Sequence, residues 1–393
     1  MPTTSFETRR APLSASKQYT VKRVTRFLPV VLTLAALLAA AEESSIFVPP
    51  HARVAEPRSN AKAFPIGKPV QIPAPLGLPP VTFPADNPPT AETIALGRKI
   101  FNDKQLSRDN SVACASCHDT KSGFSDSRRF SSGFKGQLGG RQSMSLLNAA
   151  YHFTQFWDGR ALSLEHQAEF PVRDPKEMAH SLVGVERRLS ASPEYVRLFA
   201  QAWGPGPITY EMVAKSLASY ERTLLSGNSP FDRYYYGGDK TAMSEAAIRG
   251  LELFKDFTLD GPNCISCHRI EEKYATFTEV RFHNTGVSVD PATGEMHDLG
   301  RFEVTGEKRD QGAFKVLTLR NVELTAPYMH DGSFKTLEEV VDFYFQGGRK
   351  NPYLSGVVPH KGVPNIPVDK RAQARADLVA FMKALTGEMP ANK

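Results

Sequence analysis

The hydrophobic positions of this chain form two similar helical stripes, one after Thr90 and one after Ser244. Threonine and serine are both typical N-cap residues, so each stripe has a plausible helix start. The apolar side chains that follow have helical spacing: Ile94, Leu96, Ile100 and Phe101 in the first stripe, and Ile248, Leu251, Leu253 and Phe254 in the second. The pattern predicts two amphipathic helices in equivalent places of the fold.

The two stripes belong to an internal repeat. Three residues recur at a constant offset of 153: Gly97, Phe101 and Asp103 return as Gly250, Phe254 and Asp256. Each half also closes with a helical stripe: Val213, Leu217, Tyr220 and Leu224 in the first half, and Leu378, Phe381, Met382 and Leu385 in the second. We therefore predict a mainly α-helical protein of two tandem domains, residues 90–238 and 239–393. Strand patterns are scarce, and a short β-hairpin is expected in the loop at residues 277–289.

The first 89 residues differ in composition from the rest of the chain. Lys22, Arg23 and Arg26 precede an apolar run at residues 27–41 that ends in three alanines, which is the pattern of an export signal. The run is short for a membrane span, although an uncleaved signal anchor remains an alternative. Residues 42–89 read as a proline-rich linker or wrapping arm, because 12 of the 29 prolines lie there. Residues 1–41 therefore predict export by the general secretory route.

The positive charge of the chain is concentrated in the predicted signal. Lys plus Arg number 48 and Asp plus Glu number 42 in the whole chain. Residues 1–41 hold six of the basic residues and one of the acids, which leaves 42 basic and 41 acidic side chains in the rest. A nearly neutral body gives no support to a nucleic-acid partner. A membrane partner is expected only if the signal is not cleaved.

All four cysteines lie in two C-x-x-C-H motifs. The first motif is Cys114, Cys117 and His118, and the second is Cys264, Cys267 and His268. In this arrangement two thiols bind the vinyl groups of one haem and the next histidine binds its iron. A shared zinc site would need the two motifs to converge on one ion, and a redox disulfide would not explain the histidines. We therefore predict two covalently bound c-type haems.

Two haems are compatible with two classes of protein. If both irons have closed axial ligand pairs, the protein is a di-haem electron carrier. If one iron has an open or exchangeable sixth position, the protein can activate peroxide. The haem motifs do not decide between these alternatives.

Two long loops carry further signatures. They are QFWDGRA at residues 155–161, then Gln167, Pro171 and Glu177, and finally LRNV at 319–322 and TAPYMHDG at 325–332. Together with the haem motifs, these loops resemble the bacterial di-haem cytochrome c peroxidase/MauG family over nearly all of residues 90–387. The resemblance implies two cytochrome c-like domains. The peroxide-reactive haem would lie in residues 90–238 and the electron-transfer haem in residues 239–393.

The resemblance also implies catalytic residues. Glu177 and Gln167 match the distal glutamate and glutamine of the peroxide site, and Pro171 belongs to the same catalytic signature. A carboxylate there can take a proton from peroxide and return it to the leaving oxygen, while the amide orients the substrate. Trp157 matches the tryptophan that relays oxidising equivalents between the haems. Taken from the residues alone, Glu177 would be assigned to a solvated helix start.

Two departures from the peroxidase pattern point to the MauG-like subclass. The loop histidine that caps the peroxide haem in reductively activated peroxidases is replaced by Phe134, so we expect a five-coordinate first haem in the resting ferric protein. The methionine ligand of the second haem is replaced by Tyr344, and Met329 is the alternative ligand. A phenolate is a hard anionic donor that stabilises Fe(III) and lowers the potential relative to methionine.

A calcium ion between the two domains is a further implication of the resemblance. Its ligands would be Gln142 and the carbonyl oxygens of Thr325 and Pro327. The family has asparagine at the first of these positions, and the longer glutamine must fold back to bind the ion.

The predicted function is that of a periplasmic di-haem peroxidase of MauG-like type. Hydrogen peroxide would be reduced at the first haem, with electrons drawn through Trp157 and the second haem from an external protein. For a peroxidase, that donor is a small cytochrome c or a cupredoxin. For MauG itself, it is a partner protein whose tryptophans are oxidised to build a quinone cofactor in methylamine utilisation. A di-haem electron-transfer cytochrome remains the alternative of another class.

Overall fold

The computed structural model describes residues 63–258, 261–358, 363 and 365–390. The predicted export signal and residues 42–62 of the proline-rich arm lie outside the described residues. The described chain is mainly helical, as predicted, and its longer segments are linked by loops with short 3-10 turns. Among the described residues, no helix combines the length and apolar character needed to cross a membrane.

The α-helices are numbered here in chain order. They are α1 (Ala91–Phe101), α2 (Leu164–Gln167), α3 (Glu169–Arg173), α4 (Leu182–Ser190), α5 (Pro193–Trp203), α6 (Tyr210–Glu221), α7 (Pro230–Tyr235), α8 (Glu245–Lys255), α9 (Phe302–Thr305), α10 (Leu337–Phe345) and α11 (Arg371–Lys383). The helix starts at Thr90 and Ser244 are confirmed, because each side chain accepts a hydrogen bond from a backbone N–H in the first turn.

The predicted repeat appears as two equivalent helix crossings. Helix α1 packs on α6, and α8 packs on α11. At each crossing a glycine brings the backbones together: a Cβ on Gly97 would lie 1.9 Å from the Ser216 carbonyl oxygen, and one on Gly250 would lie 2.0 Å from that of Asp377. The recurring glycine is therefore explained by close backbone contact between the opening and closing helices.

Each pair of helices belongs to its own hydrophobic core. One core contains buried side chains between Leu96 and Leu224, including Phe101, Tyr195 and Leu217. The other contains buried side chains between Phe231 and Leu385. In the second core, Phe231, Phe254, Phe277 and Phe381 meet with ring centroids 4.9 to 6.2 Å apart.

The strand content is small, and its pairing differs from the predicted hairpin. Strand β1 (Phe282–His283) falls within the expected segment at residues 277–289, but it pairs antiparallel with β2 (Phe314–Lys315). The hairpin prediction was therefore wrong in its second strand. The sequence pattern gave no sign of this partner, because the pairing is non-local and each strand is two residues long.

The described part of the proline-rich arm, residues 63–89, has little regular secondary structure and contacts residues of both cores. Its Ile66 N–H donates to the Ala202 carbonyl at 3.1 Å, beside the first core. Farther along, the carbonyl oxygen of Gly77 accepts from the N–H of Ala275 at 3.0 Å and from the Arg320 guanidinium at 2.6 Å, beside the second core. These contacts are those of a wrapping arm and not of a free linker.

Candidate functional site

The two cysteine motifs occupy short 3-10 turns in the loops after α1 and α8, Cys114–Ser116 and Cys264–Ser266. Each turn is closed by the histidine that follows, whose N–H donates to the carbonyl of the first cysteine. The four cysteines form no disulfide. Cys114 and Cys117 line one cavity, and Cys264 and Cys267 line another. We call the cavity lined by His118 the first cavity and the cavity lined by His268 the second cavity.

The two motif histidines are held in the same tautomer. His118 Nδ1 lies 3.0 Å from the carbonyl oxygen of Phe124, and His268 Nδ1 lies 2.9 Å from that of Phe277. Since a carbonyl only accepts, each Nδ1 carries the proton and leaves the Nε2 lone pair for a metal. Both phenylalanines have a left-handed backbone, with φ of 56° and 52°. The second half thus repeats the local conformation that orients the histidine of the first half.

The chemistry of these side chains fits a c-type haem at each cavity. Burial lowers the pKa of both histidines, which keeps the imidazoles neutral and able to bind iron. Burial also raises the pKa of Cys264 and of Cys267 to about 12, so these sulfurs are poor thiolate ligands at neutral pH. A sulfur that forms a thioether carries no charge and suits this buried position.

Glu177, Gln167 and Pro171 line the first cavity together with His118. They come from separate segments, since Gln167 ends α2, Pro171 lies in α3 and Glu177 follows in the next loop. Burial and the nearby Asp174 raise the pKa of Glu177 to about 7, while Arg160 opposes the rise. A carboxyl with a pKa near neutrality can both accept and return a proton.

The Glu177 loop is held by the loop that carries Phe134. The Phe134 N–H donates to the Glu177 carbonyl at 2.7 Å, and a Cβ on Gly133 would lie 2.0 Å from the Lys176 carbonyl oxygen. Within the described residues, no second histidine lines the first cavity, and Phe134 is not among its lining residues. Met178 lines it too, but this side chain packs in the first hydrophobic core.

Tyr344 and Met329 both line the second cavity with His268. Tyr344 lies on α10, whereas Met329 lies in the loop at residues 325–332 with a left-handed backbone, φ 70°. Burial raises the pKa of the Tyr344 hydroxyl, so its phenolate form needs a nearby cation such as ferric iron. The two candidate ligands named from the sequence therefore share one cavity.

Trp157 also lines the second cavity, and both halves of the chain hold it in place. Its indole N–H donates to the Gln142 carbonyl at 2.8 Å, and its own carbonyl accepts from the Lys315 N–H at 2.7 Å. The indole ring lies edge-on to His330, with ring centroids 6.3 Å apart. Next to Gln142, the Ser143 hydroxyl donates to the Cys117 carbonyl at 3.0 Å. A short bonded path thus connects Trp157 with the first cysteine motif.

The residues predicted to bind calcium lie along the wall of the second cavity. Gln142, Thr325 and Pro327 all line it. The Gln142 side chain is buried, and its Nε2 donates to the Ser125 hydroxyl at 2.9 Å and to the Asp126 carbonyl at 3.2 Å. These bonds leave its Oε1 as the atom that can face a cation, which is a hard donor that calcium accepts.

Comparisons with known proteins place this geometry in a family. A family model described as di-haem cytochrome c peroxidase matches residues 91–241. The methylamine utilization protein MauG of Methylorubrum extorquens is 38% identical over 309 residues, which is 78% of this chain and 82% of that protein. The chain belongs to the di-haem cytochrome c peroxidase/MauG family. The cytochrome c551 peroxidase of Nitrosomonas europaea is 33% identical over 306 residues, 78% of this chain and 83% of that protein.

Solved structures agree with the family assignment. A MauG-like protein associated with microbial copper homeostasis is 34% identical, with a TM-score of 0.68 over 80% of this chain and 95% of that chain. The diheme peroxidase BthA from Burkholderia thailandensis, at 22% identity and a TM-score of 0.63, shares the fold. Membership of a di-haem peroxidase family supports an oxidoreductase activity and two haem cofactors for this chain. The predicted family and fold class are confirmed.

Sequence reasoning missed three buried titratable groups at the cavities. Glu221 lines the first cavity, and burial raises its pKa to about 8. His152 and Lys315 line the second cavity. His152 is buried, and neither ring nitrogen has a hydrogen-bond partner among the described residues. The only sequence signal was the position of His152 and Lys315 near the two loop signatures, since burial arises from the tertiary fold.

Proposed function

We propose that this protein is a periplasmic di-haem c-type peroxidase of the MauG-like subclass. Cys114 and Cys117 would attach the first haem and His118 would bind its iron, and Cys264, Cys267 and His268 would do the same for the second. A bound haem iron supplies the redox centre at which hydrogen peroxide is reduced to water. The observation that carries the proposal is that Glu177 and Gln167 share the first cavity with His118.

The first cavity offers the acid–base groups that peroxide reduction needs. The Glu177 carboxylate can accept a proton from one peroxide oxygen and return it to the other, which leaves as water. The Gln167 amide can donate a hydrogen bond to the substrate and hold it in one orientation. The overall reaction takes up two protons and two electrons for each peroxide and forms two water molecules. Glu177 is suited to the proton transfer because burial brings its pKa to about 7.

Trp157 is suited to carry electrons between the two sites. Its indole is fixed by a hydrogen bond to Gln142 and lies beside His330 at the second cavity. The adjacent Ser143 is bonded to the Cys117 carbonyl of the first motif. Because the indole ring is oxidisable and is held in one position on this path, it can take part in electron transfer with little movement of the side chain.

Two residues support the MauG-like subclass within the family. Phe134 lies where reductively activated peroxidases have a capping histidine, and the described lining of the first cavity contains no histidine besides His118. Tyr344 lines the second cavity and is proposed as the distal ligand of the second haem, with Met329 as its competitor. These features favour an open first haem and a second haem of low potential.

The electron donor is proposed by class. A small cytochrome c or a cupredoxin would serve a peroxidase. A MauG-type enzyme would oxidise tryptophans of a quinone-cofactor precursor protein, and this second candidate is favoured by Tyr344 and Phe134. A calcium ion held by Gln142, Thr325 and Pro327 would bind at the wall of the second cavity, close to Trp157.

The decisive experiment is a peroxide titration of the purified ferric holoprotein. We expect two haems per chain, a high-spin signal from the first haem, and a spectral change that saturates at one peroxide per protein. Reduced cytochrome c, reduced cupredoxin and a quinone-cofactor precursor are then offered separately, and the true donor returns the resting spectrum. Two low-spin signals with no response to peroxide or cyanide would instead identify a di-haem electron carrier.

A further inference from the structure

Two basic side chains in the second cavity have no role in the chemistry described above. Lys315, on β2, is 3% exposed, and His152 is 8% exposed. The Lys315 ammonium donates to the Thr154 carbonyl at 2.6 Å, and it forms no ion pair with a described carboxylate. Neither nitrogen of the His152 ring has a hydrogen-bond partner among the described residues. Both side chains line the cavity that also contains His268, Cys264 and Cys267.

Buried basic side chains without an anionic partner indicate that an anion binds beside them. An ammonium without a counter-ion is unfavourable in a protein interior, and an imidazole without hydrogen bonds adds to that cost. The carboxylate whose charge acts on Lys315 is that of Asp158. This carboxylate already forms ion pairs with Arg141 and Arg160. Burial lowers the pKa of Lys315 to about 7, which is the response of a cation that lacks a partner. An anion in the cavity would remove both deficits.

A haem brings such anions into the same cavity. It carries two propionate carboxylates on the edge opposite the vinyl groups that the cysteines bind. A carboxylate accepts hydrogen bonds from an ammonium and from an imidazole N–H, and these charge-assisted bonds are the strong ones. Lys315 has donor capacity left after its bond to Thr154, and His152 has an unused N–H.

We propose that Lys315 and His152 form a carboxylate-binding pair that holds the propionates of the second haem. The inference rests on the proposed function only in that the second cavity holds a haem. Lys315 also contacts Trp157, because its backbone N–H donates to the Trp157 carbonyl at 2.7 Å. The residue that holds the carboxylate end of the haem thereby also holds the tryptophan. Lys315 and His152 are positioning residues for the electron path.

The test compares variants of the purified holoprotein. Lys315→Met keeps the length of the side chain and removes its charge, and Lys315→Arg keeps the charge. His152→Phe removes the ring nitrogens at similar volume. Lys104→Met, at an exposed lysine of the first half, matches the change in net charge. The readouts are haem content per chain, the reduction potential of each haem, and the propionate bending vibrations in resonance Raman spectra.

We expect Lys315→Met to shift the propionate vibration and to lower the potential of the second haem, because a nearby cation favours Fe(II) over Fe(III). Lys315→Arg and Lys104→Met should leave the propionate vibration and the potential of the second haem close to those of the unmodified protein. His152→Phe should shift the propionate vibration.

If Lys315→Met and His152→Phe fold, bind two haems and show unchanged vibrations and potentials, the pair is structural and the proposal is wrong. Should Lys315→Met not fold, His152→Phe decides alone. Fewer than two haems in the unmodified protein would instead contradict the proposed function.

Discussion

Glu177 is the side chain whose surroundings are best matched to peroxide chemistry. An exposed glutamate has a pKa near 4.3 and is a weak base at neutral pH. Burial in the first cavity, helped by Asp174, raises the pKa of Glu177 to about 7. Desolvation thus gives a residue that reads as a surface acid in the sequence a pKa suited to accepting a proton at neutral pH.

The pH dependence of the peroxide reaction follows from this pKa. Below pH 7 Glu177 is mostly protonated and cannot accept the substrate proton, so the rate should rise as the pH increases through about 7. Glu177→Gln should slow the reaction by about 100- to 10,000-fold and remove this rise, with both haems retained. Stopped-flow mixing with peroxide from pH 5.5 to 8.5 measures both effects.

A matched control for this prediction is Glu194→Gln. Glu194 is a half-exposed acid of the same half, paired with Lys99. It should leave the rate and its pH profile unchanged. If Glu177→Gln keeps the rate of the unmodified protein, Glu177 has no part in the proton transfer.

The ligand of the second haem is the other prediction at the scale of one residue. Tyr344 and Met329 line the same cavity, but only tyrosine offers an anionic oxygen to iron. Tyr344→Met should raise the potential of the second haem by a sizeable part of the roughly 0.8 V that axial ligands span. Tyr344→Phe should change its spin state, because phenylalanine has no donor atom. Met329→Leu is the control, and a low-spin signal lost in that variant instead would assign the ligand to Met329.

At the scale of elements, the repeat is built on two glycine-mediated helix crossings. The sequence identified both glycines and both helix starts, because N-caps and helical stripes are local signals. It did not identify the partner of β1, since two-residue strands leave no periodic pattern and their pairing depends on the fold around them. The phenylalanine carbonyls that orient His118 and His268 also escaped prediction, because a left-handed phenylalanine has no sequence signature.

The crossings make a prediction about stability. Alanine is favoured over glycine in a helix by about 1 kcal/mol, so Gly97→Ala would stabilise an isolated α1. Here the added methyl would meet the Ser216 carbonyl at 1.9 Å, and α1 would have to move away from α6. Overpacking of this kind costs about 1–3 kcal/mol, and moving two backbones apart belongs at the upper end. We therefore expect a net loss in the free energy of unfolding, measured by denaturant titration of the holoprotein.

Gly140→Ala is the comparison variant for the crossing. A Cβ at Gly140 has nothing within 4 Å, so that change should be nearly neutral. Gly250→Ala should behave like Gly97→Ala, because its Cβ would meet the Asp377 carbonyl at 2.0 Å. Equal stability of Gly97→Ala and Gly140→Ala would show that the helices can separate without cost.

At the scale of the whole molecule, the cysteine motifs at the ends of both cavities could be recognised from the sequence, whereas most of the cavity walls could not. A C-x-x-C-H motif is contiguous and can be recognised without a fold. The chemistry of His152 and Lys315 depends on burial, which is produced by segments far apart in the chain: the Trp157 loop, β2 and the second cysteine motif. A histidine or lysine inside a mixed polar segment carries no sign of such burial.

Arg320 connects the arm with the second half of the chain, and its replacement tests how far the stability of the whole molecule depends on these contacts. It is 2% exposed and forms a bidentate pair with Asp232 at 2.8 Å, while it also donates to the carbonyls of Gly77 in the arm and Ala275 in the second half. Arg320→Met would leave the Asp232 carboxylate buried without its counter-ion. Breaking a buried pair from one side costs about 3–5 kcal/mol, and the expected result is a corresponding loss in the free energy of unfolding.

The comparison for Arg320 is a second bidentate pair in the same chain, Arg249 with Asp377. Its geometry is similar, at 2.8 and 3.0 Å, but the Arg249 side chain is 53% exposed. The Asp377 carboxylate is buried but also accepts a hydrogen bond from Gln373, and Arg249 is open to solvent, so Arg249→Met should cost less stability than Arg320→Met. Denaturant titrations of the two variants, with haem content checked in each, separate the effect of burial from that of geometry. Equal losses would mean that burial of the Arg320 guanidinium adds nothing to the strength of its pair with Asp232.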